Sequence, residues 1–262
     1  MVTTVDLTAL RRDIASLSER NALEAQAPRS AFGFGDRSID RVLGKGLQRG
    51  ALHEVFSAEM HDAGAATGFV IALALRSSSG QSPIVWLEED FAAQEHGFPY
   101  APGLKHLGLD PQRLVIVRCS SPQDVLKAAS DSLGIRGTGA VIIAPWSNPK
   151  CLDLTATRKL LLTAQQTGVP AFLLRLGAVP IDNSAVTRWM IRSNASRSSG
   201  ANAPGHPVFD ATLIRNRQGM TGHWILQWES DNHVFRQIEP VSGTVVSTPA
   251  HRPPQTRKSA TG

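Results

Sequence analysis

The segment Ser57-Ala58-Glu59-Met60-His61-Asp62-Ala63-Gly64-Ala65-Ala66-Thr67 lies between an apolar, strand-like run at 51–56 (ALHEVF) and a helix-like run at 68–75 (GFVIALAL). A nucleotide-binding fold places its phosphate loop between just such a strand and helix. A working loop of the form G-x-x-x-x-G-K-[ST] cradles phosphates with backbone N–H groups, neutralises them with lysine and offers a hydroxyl to magnesium. Here Gly64, Ala65 and Ala66 stand where glycine, lysine and serine or threonine belong, and no lysine occurs between Lys45 and Lys105. No shift of alignment can restore one. Ser57 and Thr67 are neutral, and Glu59 and Asp62 would repel a triphosphate. A charge-assisted hydrogen bond contributes roughly 1.5–3 kcal/mol, so losing the lysine alone weakens nucleotide binding by about one to two orders of magnitude. The loop reads as vestigial, and no cofactor is expected.

Other residues that could do chemistry are less specific. Eight histidines are present, but none has metal-ligand spacing, and there is no G-x-S-x-G nucleophile elbow, so a hydrolytic or zinc site is not expected. Cys119 and Cys151 fit neither a metal motif nor a disulfide framework and read as reduced and structural. The acidic cluster Glu88-Glu89-Asp90 ends a strand-like run and could supply a general base, although a solvated strand end is the simpler expectation. The net charge of +5 is unevenly placed: residues 183–217 hold Arg188, Arg192, Arg197, Arg215 and Arg217 against Asp210 alone among acids. Such a basic surface suits DNA phosphates, an acidic protein partner, or plain solvation.

The elements that must position these residues follow from periodicity. Residues 6–20 carry Leu7, Leu10, Ile14 and Leu17 at helical spacing, one narrow stripe that either packs on its own core or docks on a partner or another copy. The polar, proline-containing stretch 25–30 separates this helix, taken as 1–24, from a core at 31–240. Within the core, SPIVWLEE, DPQRLVIVRC, GAVIIAP and VPAFLLRL read as strands; SPQDVLKAASDSLGI, capped by Ser120 or Ser121, and 153–167 read as helices. This alternation predicts an α/β fold with a mostly parallel, twisted sheet flanked by helices. FDATLIRN, GHWILQW and HVFRQI, separated by turn residues, predict an antiparallel extension at the C-terminal end, with Trp224, Leu226 and Trp228 on its core face. Residues 241–262 have few large apolar side chains and several prolines, the composition of a disordered basic tail. No apolar run approaches the roughly 20 residues of a membrane span, and the N-terminus lacks a signal-peptide core, so a cytoplasmic location is expected.

Within this order, FGFGDRSIDRVLGKGLQRGALHEVF resembles the recombinase segment in which a glycine-rich turn enters the phosphate-loop strand, and LGLDPQRLVIVRCSSPQDVLKAASDSLGIRGTGAVIIAP resembles the stretch ending at the Walker B strand. AVTRWMIRSNASR and LIRNRQGMTGHWILQW are more similar to the ImuA family than to RecA itself. The resemblance spans about 31–240 and implies a RecA-like core. Against that pattern, Val141-Ile142-Ile143-Ala144 runs into Pro145 where an acid should order magnesium, Arg175 stands where a recombinase senses the terminal phosphate with glutamine, and the DNA-gripping loop shrinks to GAVPIDNS. The resemblance implies a pseudo-ATPase: a non-catalytic adaptor in SOS-induced translesion synthesis, partnered by ImuB, an inactive Y-family polymerase homologue, and an error-prone replicative-type DNA polymerase. Two alternatives stand beside it: a DNA-dependent ATPase or recombinase paralogue with an atypical loop, and a division inhibitor similar to SulA. The shortened loop favours a protein partner over DNA, with at most weak non-specific DNA binding.

Overall fold

The computed structural model describes residues 30–44, 46–78, 80–97, 99–197 and 205–239. The Leu7, Leu10, Ile14, Leu17 stripe, nearly all of the 25–30 linker and the 241–262 tail lie outside the described residues. A short antiparallel pair, β1 (Ala31–Phe32) and β2 (Leu47–Gln48), leads into the buried strand β3 (Leu52–Ser57). The turn between them needs Gly50: its φ is +50°, and a Cβ there would meet the Ala164 carbonyl oxygen at 2.8 Å. A short helix α1 (Arg37–Val42), capped by Asp36, closes over the pair and buries Ile39.

Helix α2 (Ala63–Ser77) follows β3 and is buried along most of its length, as its unbroken alanine, leucine and phenylalanine content dictates. Next come β4 (Ile84–Glu89), the short helices α3 (Asp90–His96) and α4 (Ala101–His106), and β5 (Leu114–Cys119). Helix α5 (Pro122–Gly134) starts at Ser121, whose hydroxyl accepts from the Asp124 N–H, with proline at its first position. Strand β6 (Ala140–Ala144), helix α6 (Leu154–Thr167) and β7 (Ala171–Arg175) continue the alternation; Asp153 caps α6, and Gly168 ends it at a left-handed φ of +76°.

Strands β8 (Thr187–Asn194), β9 (Val208–Asn216), β10 (Gly222–Glu229) and β11 (Val234–Gln237) complete a nine-stranded sheet ordered β11-β10-β9-β8-β3-β7-β6-β4-β5. The six strands from β8 to β5 are parallel, and β9 to β11 extend β8 antiparallel. Strand β8, which the pattern of the sequence alone does not single out, joins the two parts. One core lies between the sheet and α2, where Phe34, Phe69, Trp189, Phe209 and Phe235 meet at ring-centroid distances of 4.8–6.3 Å. The other lies beneath α5 and α6. Trp224, Leu226 and Trp228 are buried in the first core, as their alternation predicts. No helix among the described residues is long and apolar enough to cross a membrane.

Candidate functional site

Parallel sheets bind ligands beyond the C-terminal ends of their strands. Here the ends of β3, β4, β6 and β7 converge near the start of α2, and the loop 57–67 runs among them. Its acids are built in. The Met60–Asp62 turn forms a reciprocal cap in which Glu59 N–H donates to the Asp62 carboxylate. Asp62, only 1% exposed, also accepts from the Ser193 backbone N–H (2.8 Å) and hydroxyl (2.9 Å). Burial works to raise the Asp62 pKa, but the two Ser193 bonds, the neighbouring His61 charge and the Glu59 N–H hold it below the usual carboxylate value. Asp62 therefore ties the loop to β8 through Ser193, whereas its place in the sequence implied only the repulsion of a triphosphate. Ala63, Gly64, Ala65, Ala66 and Thr67 form the first turn of α2, with Ala66 fully buried and Gly64 exposed. No lysine or arginine lies in this turn.

On one side of the loop a carboxylate is fully matched. Glu54, in the middle of β3 and wholly buried, accepts from Arg175 Nη1 (3.0 Å), Arg188 Nε (2.7 Å) and Asn183 Nδ2 (2.7 Å). Arg175 also donates to the Ser147 carbonyl at 2.9 Å and to the Asn148 side chain, while Arg188 reaches the Ile181 carbonyl. Both guanidinium groups lie over the Phe56 ring, 5.5 and 5.8 Å from its centroid. Burial lowers the Arg175 pKa, the Glu54 charge opposes that, and the Arg188 charge adds to it. Arg175 is thus an internal ion-pair residue.

This arrangement corrects the expected basic surface. Arg188 is 8% exposed and belongs to the core ion cluster. Arg215 and Arg217 flank it, both donating to the Asn183 carbonyl, at 3.3 and 3.0 Å. Arg192 and Arg197 are exposed, but Arg192 sits opposite Asp210 in the β8–β9 register, four residues along the strand from Arg188. At about 3.3 Å per residue that separates the two groups by roughly 13 Å. The five arginines do not make one surface.

On the other side a carboxylate is left unmatched. Glu88, at the end of β4, is 5% exposed, which corrects the expectation of a solvated strand end, and its Oε2 has no hydrogen-bond partner. Burial raises its pKa; the Arg118 charge and the Trp86 indole pull it down, and Asp90 pushes it up. The indole favours the charged form from close by without reaching hydrogen-bond geometry. Its neighbours are engaged: Glu89 accepts from the Trp146 N–H at 2.9 Å, and Asp90 pairs with Arg118 at 2.7 Å. Glu88 lines a cavity of about 370 Å³ whose walls include Ile71, Trp86, Tyr100, Leu104, Leu174 and Pro145. Pro145 is thus part of an apolar wall. A second hollow, about 490 Å³, opens at the opposite end of the sheet around Arg49, Arg136 and Gly168. Among the described residues no cluster of histidine, cysteine and acidic side chains could hold a metal, and Cys119 and Cys151 are both free.

Sequence patterning missed Glu54 and the cavity walls at Tyr100 and Leu104. The signal for Glu54 was available: an acid in a strand otherwise fit for burial requires a buried partner, and Arg175 ends the similarly apolar run AFLLR.

No protein-family model matches the chain. Two curated relatives do, both called "Protein ImuA", from the Caulobacter vibrioides strains NA1000 / CB15N and ATCC 19089 / CIP 103742 / CB 15. Each is 30% identical over 223 residues, covering 79% of this chain and 87% of the relative.

Proposed function

The chain belongs to the ImuA family, and from that premise we propose that it is a non-catalytic, RecA-like adaptor of a damage-induced translesion synthesis complex. Its partners on this reading are an ImuB-like inactive Y-family polymerase homologue and an error-prone replicative-type DNA polymerase. One observation carries the reading: the turn that should hold a triphosphate is Ala63-Gly64-Ala65-Ala66-Thr67, without a cation, beside a buried, unpaired acid. An anion brought there loses the lysine and meets Glu88 in a medium where like charges repel more strongly than in water. Pro145 removes the second handle that phosphoryl transfer requires, a magnesium-ordering acid. What remains is a folded surface on which partners can assemble. Removal of Arg188 from the exposed basic set weakens the case for direct DNA contact and favours protein partners.

The test pairs two measurements on the full-length protein. Calorimetry with ATP and magnesium is expected to give no binding, and co-expression with the ImuB-like homologue is expected to give a stable complex. A dissociation constant in the low micromolar range (~1–10 µM), with turnover reduced by Glu88→Gln or Glu89→Gln, would overturn the reading in favour of a DNA-dependent ATPase.

A further inference from the structure

The cavity at the end of β4 is more than a lost phosphate site. Its walls are apolar and partly aromatic, through Trp86, Tyr100, Leu104 and Leu174, and its volume of about 370 Å³ lies at the lower end of the range for small-ligand pockets. A molecule of one or two rings fits that volume. The one carboxyl in its wall is that of Glu88, 5% exposed; its Oε2 and the nearby Trp86 indole N–H are both buried without a hydrogen-bond partner. A buried oxygen without a donor is a standing cost that a bound N–H group removes.

The lining sets the sign of the ligand. Among the described residues no lysine, arginine or histidine lines the cavity and Glu88 is its one carboxylate; the neighbouring Glu89 and Asp90 are engaged by the Trp146 N–H and Arg118. The start of α2 would attract an anion, but Asp62 at its head and Glu88 inside the cavity offset that partial charge. We propose that this cavity is a binding site for a small aromatic cation, of the amidinium or arylammonium class, whose ring is taken up by the apolar walls and whose N–H groups donate to Glu88. The inference goes beyond the adaptor reading and stands separately from it, because loss of partner binding would leave it untouched.

Three isosteres test it on the full-length protein: benzamidine, benzamide and benzoate, which carry the same ring with positive, zero and negative charge. Saturation-transfer NMR and calorimetry are expected to show benzamidine binding with a Kd on the order of 0.1–1 mM, typical for so few atoms. Benzamide should bind about tenfold more weakly, as loss of one charge-assisted pair implies, and benzoate should show no binding. Glu88→Gln should weaken benzamidine by about tenfold and bring it close to benzamide. Gly103→Leu provides a second variant: Gly103 lines the cavity, and a Cβ there meets only the Tyr100 ring, at 3.8 Å. Filling the cavity this way should abolish benzamidine binding without disturbing the melting temperature. Benzoate binding as tightly as benzamidine, benzamidine affinity unchanged in either folded variant, or no binding by any of the three would each overturn the proposal.

Discussion

Glu54 and Glu88 are both glutamates buried in the parallel sheet, with the two strands β7 and β6 between them, and their surroundings differ. Glu54 receives three side-chain donors, two of them arginine, so that both its oxygens are partnered, although the Nε of Arg175 is not. Glu88 keeps one oxygen unpartnered and faces a cavity. On the β3–β7–β8 side the buried charges are paired into internal structure, while the β4–β6 side holds a concave space with an acid in its wall. A paired buried acid is a cross-link between strands. An unpaired one is a demand for a ligand.

The largest effect expected from this comparison is at Glu54. Glu54→Leu leaves Arg175 and Arg188 buried without their counter-ion, and breaking a buried pair from one side costs about 3–5 kcal/mol. Urea denaturation should show a large fraction of the stability gone, given a typical total of roughly 5–15 kcal/mol. Replacing all three at once, Glu54→Leu with Arg175→Met and Arg188→Leu, should recover much of the loss, because apolar side chains of similar volume often substitute for a buried ion network. If the single change is as mild as the triple, the cluster is not the clamp described here.

Acid sharpens the comparison by acting in opposite directions on β3 and β4. His53, adjacent to Glu54 and wholly buried, bonds Thr187 Oγ1 and the Gln48 carbonyl, both at 2.8 Å, and burial depresses its pKa to about 4. The unfolded chain therefore binds a proton near pH 6.5 that the folded chain refuses until about 4. The His53 contribution is fully present above 6.5 and is lost as pH falls towards 4, about 3 kcal/mol in all at 1.36 kcal/mol per unit. Equilibrium unfolding followed from pH 7 to 4 should show this loss, and His53→Gln should reduce its slope.

Glu88 has the reverse sign. Its folded pKa is raised above the unfolded 4.5, so the folded state binds the extra proton, and stability falls as pH rises from 4.5 through the folded value. Glu88→Gln should then be more stable than the parent at neutral pH, with the difference fading towards pH 4.5. A destabilising Glu88→Gln would mean that the carboxylate has a partner in solution and that the contrast with Glu54 is false.

Most of the parallel sheet was legible in the sequence, because its strands are continuous apolar runs and its main helices carry caps at Ser121 and Asp153. Strand β8 was not, since TRWMIRSN holds an arginine at an inward position and turns on a partner, Glu54, 134 residues away. That same long-range pairing made Arg188 read as surface. Helices α3 and α4 escaped detection because they have only seven and six residues and are separated by Gly97 and Pro99. The missing lysine was plain from spacing alone, yet the cavity beside the loop is lined from six separate elements, α2, β4, α3, α4, β6 and β7. No local pattern encodes such a convergence.

The smallest effect concerns Gly64, in the turn that lies between the two glutamate regions. Its φ is not left-handed, and a Cβ added there meets no atom within 4 Å. Alanine in place of an unstrained helical glycine removes backbone freedom from the unfolded chain, so Gly64→Ala should stabilise the protein by about 0.5 kcal/mol. For a chain of this size that is a rise of roughly 1–2 °C in Tm, within reach of differential scanning calorimetry. A phosphate cradle has a different requirement: its glycines adopt conformations that a side chain disfavours and let the backbone approach the ligand closely. A fall in Tm on Gly64→Ala would therefore mean that the turn is held in such a conformation in solution, and the case for a vestigial loop would lose its geometric basis.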